Sequence, residues 1–210
     1  LLLPVLGPSL VAFLASTATA QGVTRNWTGP AAGTWHTAGN WDPVGVPNAA
    51  DYLILSTGDQ PSTGGTVSVA DGGRIDINST ANANAGNLRV GVQGLGVLTM
   101  IGGSDLTSTT ADIGGLASGV GIANLSGDGT SWTIVTDLEV GDRGAGRLVV
   151  NSGADVDAGS VYIGDGLSAT GHAIISDSGS TLGAGSDIFI GFSGNGTLEV
   201  RNGATVGFAG

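Results

Sequence analysis

The sequence predicts an all-β fold: a right-handed parallel β-solenoid (β-helix), three short strands per rung, with an irregular tryptophan-containing N-terminal cap. Three observations carry that prediction. A Val-Gly or Ile-Gly anchor returns with a double period of 50 residues, apolar residues alternate with period 2 between anchors, and 40 glycines occur in 210 residues without a collagen period.

The repeat comes first. Residues 88–104 read LRVGVQGLGVLTMIGGS, 138–154 read LEVGDRGAGRLVVNSGA and 188–204 read IFIGFSGNGTLEVRNGA. Anchors fall at Gly91, Gly114, Gly141, Gly164 and Gly191, with gaps of 23, 27, 23 and 27, so two coil types alternate. A second corner glycine follows 12 or 15 residues later, at Gly103, Gly129, Gly153, Gly179 and Gly203. Both sets are expected to supply backbone conformations or close stacking that a side chain would obstruct.

Strands fill the space between corners. The inward pairs of the first strand are Leu88/Val90, Ala111/Ile113, Leu138/Val140, Val161/Ile163 and Ile188/Ile190. Those of the second are Leu98/Met100, Ala123/Leu125, Leu148/Val150, Ala173/Ile175 and Leu198/Val200, and the third strand contributes Leu106, Trp132, Val156, Leu182 and Val206. Three strands in a coil of ~25 residues fit a solenoid rung, whereas a propeller blade needs ~40. Five buried aliphatics at ~1.5–3 kcal/mol each cannot offset the ordering of one rung at ~1–2 kcal/mol per residue, so rungs are stable only in stacks. Parallel connections favour the right-handed coil.

Ahead of the repeat, residues 21–87 are expected to form the cap and irregular first rungs. Trp27, Trp35 and Trp41 could cover an open end of the stack, which would otherwise expose core and unpaired strand edge. The same three rings could instead form a carbohydrate-binding platform. Alternating stretches follow at DYLIL, TVSVA and GRIDI. Residues 1–20, an apolar run ending in an Ala18-x-Ala20 pattern, are expected to be a signal peptide cut before Gln21 and truncated at its own N-terminus.

Charge and cysteine usage exclude several classes. Six Arg and no Lys against 17 acidic residues give a net charge of -11. No nucleic acid is expected as partner, because phosphate binding needs a basic stripe. An anionic membrane surface is disfavoured for the same reason, and no membrane insertion is expected in the mature chain. Without cysteine there is no disulfide framework and no thiolate site.

The coils resemble the repeat of autotransporter passenger domains and PEP-CTERM-associated exported bacterial proteins, roughly L-x-V-G-x-x-G-x-G-x-L-x-V-x-x-G-A-x-V. Residues 88–106, 138–156 and 188–206 match this pattern closely, and GDGTSWTIVTDLEVG at 127–141 matches a G-S-x-W-T variant, which is weaker where Leu182 replaces Trp132. The resemblance covers residues 88–210. The tryptophan-rich opening also resembles the segment that precedes such repeats. What this implies is a secreted or cell-surface β-solenoid, associated with the outer membrane in the intact protein, and no single activity. The chain stops at Gly210 partway through a rung, so it is expected to be a fragment of a longer protein.

The outward column of the first strand reads Arg89, Asp112, Glu139, Tyr162, Phe189. Asp112 and Glu139 would lie near the ~5–5.5 Å carboxylate spacing of retaining glycosidases, but stacking imposes that spacing on any two neighbours. Tyr162 and Phe189 should lie side by side, as a stabilising ladder or as a contact surface. Asp155 and Asp157 share a strand, and Asp142 and Asp165 sit at corners. Calcium would need several converging oxygens, and the G-G-x-G-x-D nonapeptide is absent. His36 and His172 are far apart in sequence. No catalytic residue, metal or cofactor is therefore expected. The reading is a non-enzymatic, adhesin-like or structural stalk whose partners are surface glycans or proteins of host or neighbouring cells. The alternatives are a polysaccharide-active enzyme of pectin-lyase-like fold or a glycan-binding module. The strict 23/27 alternation is expected to leave no room for a flanked catalytic groove.

Overall fold

The computed structural model describes residues 22–208 apart from Thr57. The expected signal peptide, 1–20, lies outside the described residues. In chain order the strands are β1 (Thr24–Trp27), β2 (Trp41–Asp42), β3 (Tyr52–Leu55), β4 (Thr66–Val69), β5 (Gly73–Asn78), β6 (Asn82–Val90), β7 (Gly94–Ile101), β8 (Asp105–Ile113), β9 (Gly119–Ser126), β10 (Ser131–Val140), β11 (Ala145–Asn151), β12 (Asp155–Ile163), β13 (Thr170–Ser176), β14 (Thr181–Ala184), β15 (Ile188–Ile190), β16 (Asn195–Arg201) and β17 (Thr205–Phe208). One sheet has the order β2-β1-β3-β5-β7-β9-β11-β13-β16 and the other β4-β6-β8-β10-β12-β14-β17, with β15 also on β12. All pairings are parallel except β1 with β2. The result is the β-solenoid that the repeat predicts, with about seven turns.

The three predicted strands of each rung are present, but two of them are joined. The third strand of one rung and the first of the next run together as a single bent strand in β6, β8, β10 and β12, and separate only as β14 and β15. In β10 the bend contains a register shift between Ile134 and Leu138, a β-bulge that takes up an extra residue.

Register shows where the two coil lengths differ. In the first sheet Leu98, Ala123, Leu148, Ala173 and Leu198 pair in uniform steps of 25 residues. In the second, Val90, Ile113, Val140, Ile163 and Ile190 pair in steps of 23, 27, 23 and 27. A long rung places two of its four extra residues at the corner after the first strand. Eight residues lead from Val90 to Leu98 and from Val140 to Leu148, but ten lead from Ile113 to Ala123 and from Ile163 to Ala173.

Inward aliphatics from both sheets form one continuous core, with Val90, Ile113, Val140 and Ile163 fully buried. The ten predicted corner glycines all have positive φ, between 71° and 89°. At Gly141 the nitrogen donates to the Ile113 carbonyl at 2.7 Å, so the ladder continues past the strand while the chain turns left-handed. A third glycine column, Gly96, Gly121, Gly146, Gly171 and Gly196, has ordinary φ and is needed for space. A Cβ on Gly146 would overlap the Gly141 nitrogen and the Ile113 carbonyl oxygen.

At the N-terminal end β2 lies antiparallel along the free edge of β1. Trp27, Trp35 and Trp41 are buried, with ring centroids 5.1 Å apart for Trp27–Trp41 and 5.9 Å for Trp35–Trp41. Trp41 Nε1 donates to the Trp35 carbonyl, and Trp35 Nε1 donates to the Asn84 carbonyl at 2.8 Å, which ties this layer to β6. Arg25 Nε donates to Asp51 at 2.8 Å, with Asp51 fully buried. Burial alone would raise the Asp51 pKa, but hydrogen bonds from Arg25 and from the Val23 and Asn48 backbone outweigh it and hold the carboxyl below its usual value. Because the three indoles are buried, they are not available as an exposed sugar platform. The stack itself begins well before residue 88, since β3, β5 and β7 pair in order.

Candidate contact face

Two outward columns meet at the corner after the first strand. Strand alternation turns one residue of each first strand outward, and register aligns Arg89, Asp112, Glu139, Tyr162 and Phe189. The residue after each anchor glycine forms the second column: Val92, Gly115, Asp142, Asp165 and Phe192. The Asp165 nitrogen donates to the Gly141 carbonyl at 2.9 Å, which holds the corners in step.

The N-terminal half of this face is acidic. Arg89 Nε donates to Asp112 at 2.7 Å, and Arg143, mostly exposed, lies 3.6 Å from Asp142. Carboxylate oxygens of Asp112, Glu139 and Asp142 all lie within 4.8 Å of one another, close enough to share a divalent cation. Burial, reinforced by Asp112, Asp142, Asp165 and Asp137, pushes the Glu139 pKa up to about 7. Burial also raises Asp142, with Asp112 and Asp165 adding to it and Arg143 and Arg89 opposing.

The C-terminal half is aromatic. Tyr162 and Phe189 stack with centroids 4.9 Å apart and ring planes 15° from parallel. Phe192 stands edge-on to both, at 5.4 Å from Phe189 and 6.0 Å from Tyr162, and is 61% exposed. Tyr162 and Phe189 are half-buried. Sequence reading paired the first two rings but missed Phe192, which belongs to the corner column and not to a strand.

A groove of about 680 Å³ runs beside these columns, lined by Ala117, Asp142, Arg143, Asp165, Gly166, Leu167 and Ser168. Its origin is the coil alternation. The long corners at Leu116–Gly119 and Gly166–Ala169 close on their own turns, with Gly119 N donating to Leu116 O and Ala169 N to Gly166 O. The short corner at Asp142–Gly144 sits between them. The hollow is edged by four-residue turns and not by long insertions on neighbouring rungs. The signal was present in the sequence as the contrast between uniform steps of 25 and alternating steps of 23 and 27.

The remaining candidates lie elsewhere. Asp155 accepts from Thr181 Oγ1 at 2.8 Å, as Asp105 does from Ser131 Oγ at 2.6 Å, so these acids form rung-to-rung hydrogen bonds on another face. Asp157 adjoins Gly183 on the same ladder. His172 Nε2 is 3.0 Å from Glu199, and His36 lines a small pocket beside Trp35 in the cap. Comparison with known proteins finds no matching family model, no matching curated protein and no matching solved structure.

Proposed function

We propose that this chain forms the rod of an exported bacterial protein, an adhesin-like or structural stalk of the passenger or PEP-CTERM-associated kind, held at the cell surface or released outside it. The observation that supports this reading most is the unbroken ladder. Each rung repeats the same inward residues and glycine corners while the outer columns vary freely, as suits a spacer that presents many weak contacts along its length. The acidic, cysteine-free composition agrees with a solvated extracellular surface. Among the described residues no helix is long and apolar enough to cross a membrane. The test is surface proteolysis and fractionation of expressing cells, combined with incubation of the protein with neutral and acidic polysaccharides. The protein is expected outside the cytoplasm, and the polysaccharides are expected to remain intact. Cytoplasmic retention, or release of new reducing or unsaturated ends, would overturn it.

One observation favours a second reading, a polysaccharide-active enzyme. Glu139, raised to about 7 beside Asp112, has the protonation of a general acid at neutral pH. Cleavage of a polysaccharide that disappears in Glu139→Gln would select this reading.

A further inference from the structure

We propose that the face formed by Tyr162, Phe189 and Phe192 together with Glu139, Asp142 and Asp165 docks a basic segment of a partner protein, inserting a lysine or arginine side chain between the carboxylates and the aromatic cluster. This rests on the reading of the face as a contact surface and not a catalytic one.

Three features lead to that occupant. First, the aromatic patch is exposed by design of the strand: alternation fixes Tyr162 and Phe189 outward, and Phe192 follows an anchor glycine on the corner. Second, the patch abuts carboxylates with little compensation. Among the described residues Arg89 is engaged by Asp112, and Arg143 touches only Asp142, loosely. A cation entering there relieves repulsion among Glu139, Asp142 and Asp165 and meets aromatic π-density as well. Third, the rings are arranged unfavourably for sugar. Tyr162 and Phe189 turn their faces to each other at 15° with centroids 4.9 Å apart, so a pyranose cannot enter between them. Phe189 and Phe192 supply no oxygen ligand, so the aromatic half of the face adds nothing to a metal site. From Glu139 to Phe189 the face spans two ladder steps, roughly 10 Å at ~4.8 Å each, or about three residues of extended peptide.

The experiment uses the full chain and fluorescence anisotropy near pH 8 at ~0.15 M salt, where long-range attraction is screened within ~8 Å. The probes are a labelled Arg/Lys-rich peptide, its Glu-substituted counterpart, a neutral oligosaccharide and calcium. The basic peptide is expected to bind and the other three are not. Glu139→Gln/Asp165→Asn should weaken it about tenfold, and Phe192→Ala about threefold or more. The control Asp155→Asn/Asp157→Asn removes the same charge from another face and should change affinity less than about twofold. Affinity should also rise as pH passes about 7, because Glu139 ionises against Asp112, Asp137, Asp142 and Asp165, with Arg89, Arg143 and Tyr162 as its other charged or titratable neighbours. Equal loss in both charge-neutralised pairs would overturn the proposal as general attraction to an acidic chain. So would oligosaccharide binding lost in Phe192→Ala, which would make this a glycan face, or calcium binding insensitive to Phe192→Ala with no peptide bound. Polysaccharide cleavage in the parallel assay would defeat the stalk reading separately, whatever the peptide does.

Discussion

The cap and the stack solve the same problem by different means. Each must satisfy strand edges and bury apolar surface. The stack does so with interchangeable aliphatics and glycines, repeated until every rung is covered by its neighbours. The cap does so once, with contacts that occur nowhere else in the chain: Trp35 to the Asn84 carbonyl, Trp41 to the Trp35 carbonyl, Arg25 to Asp51 and the Pro43 carbonyl. A periodic solution tolerates change wherever the period is kept. A singular solution has no spare copy of any part. The comparison predicts that damage will spread in the stack and stay local in the cap.

The largest effect is expected from Val140→Asp. Val140 is fully buried, with Ile113 and Ile163 as its ladder partners, so the substitution puts an unpaired charge into a dry core at a cost of roughly 3–5 kcal/mol. Nearest-neighbour coupling should carry the loss into both adjoining rungs. Gly146→Ala should act similarly, since its Cβ overlaps main chain that cannot yield, while Gly207→Ala, with open space around it, should be nearly silent. Hydrogen exchange resolved by rung would test this. Protection lost only between residues 131 and 163, or equal effects of the two glycine substitutions, would contradict it.

A smaller, more local effect is expected in the cap. Trp41→Ala empties a fully buried indole site and should cost about 3 kcal/mol or more, paid mainly by the layer around β1 and β2. Exchange in β9 to β13 should hardly change. Acid should reveal the same boundary. Asp51 is held below its ordinary carboxyl value, so its contribution is present above that value and disappears as pH falls through the lowered one. The cap is therefore expected to loosen before the stack on acidification. Simultaneous loss of tryptophan burial and rung protection at every pH would show that the two regions are one cooperative unit.

Legibility in the sequence follows the same division. The rungs were readable because a ladder forces aliphatics and corner glycines to recur, and the inward pairs from Leu88/Val90 to Val161/Ile163 are where alternation places them. The fusion of third and first strands was not readable, because a bend such as Ile134–Leu138 leaves no fixed residue type behind it. The third glycine column recurs every 25 residues and could have been found, but it is hidden among the other glycines. Of the cap, only the need for one was legible; which atom each tryptophan meets depends on contacts without a period. The contact face was half legible. Register put Glu139 beside Asp112 and Tyr162 beside Phe189, but Asp142, Asp165 and Phe192 join them only because the corners fold back onto that column.

The smallest predicted effect is the most discriminating, because it runs opposite in sign to the cap. Glu139 points outward on a strand whose neighbours Leu138 and Val140 are buried, a position that would ordinarily be neutral to substitution. Yet its pKa is raised from 4.5 to about 7, first by burial and then by Asp112, Asp142, Asp165 and Asp137. The folded state therefore holds the proton more tightly than the unfolded chain does. Below about 4.5 both states are protonated and there is no penalty. Between 4.5 and about 7 the penalty grows as pH rises, and above 7 it stays constant. The full shift corresponds to about 3 kcal/mol, which solvent screening at a partly exposed site reduces to about 1–2 kcal/mol. Glu139→Gln keeps the shape and removes the charge. Its melting temperature should match the parent near pH 4 and exceed it near pH 8 by a few degrees. A gap that is the same at both pH values would mean that the carboxylates do not repel one another in the folded chain, and the cluster would then offer a cation nothing to relieve.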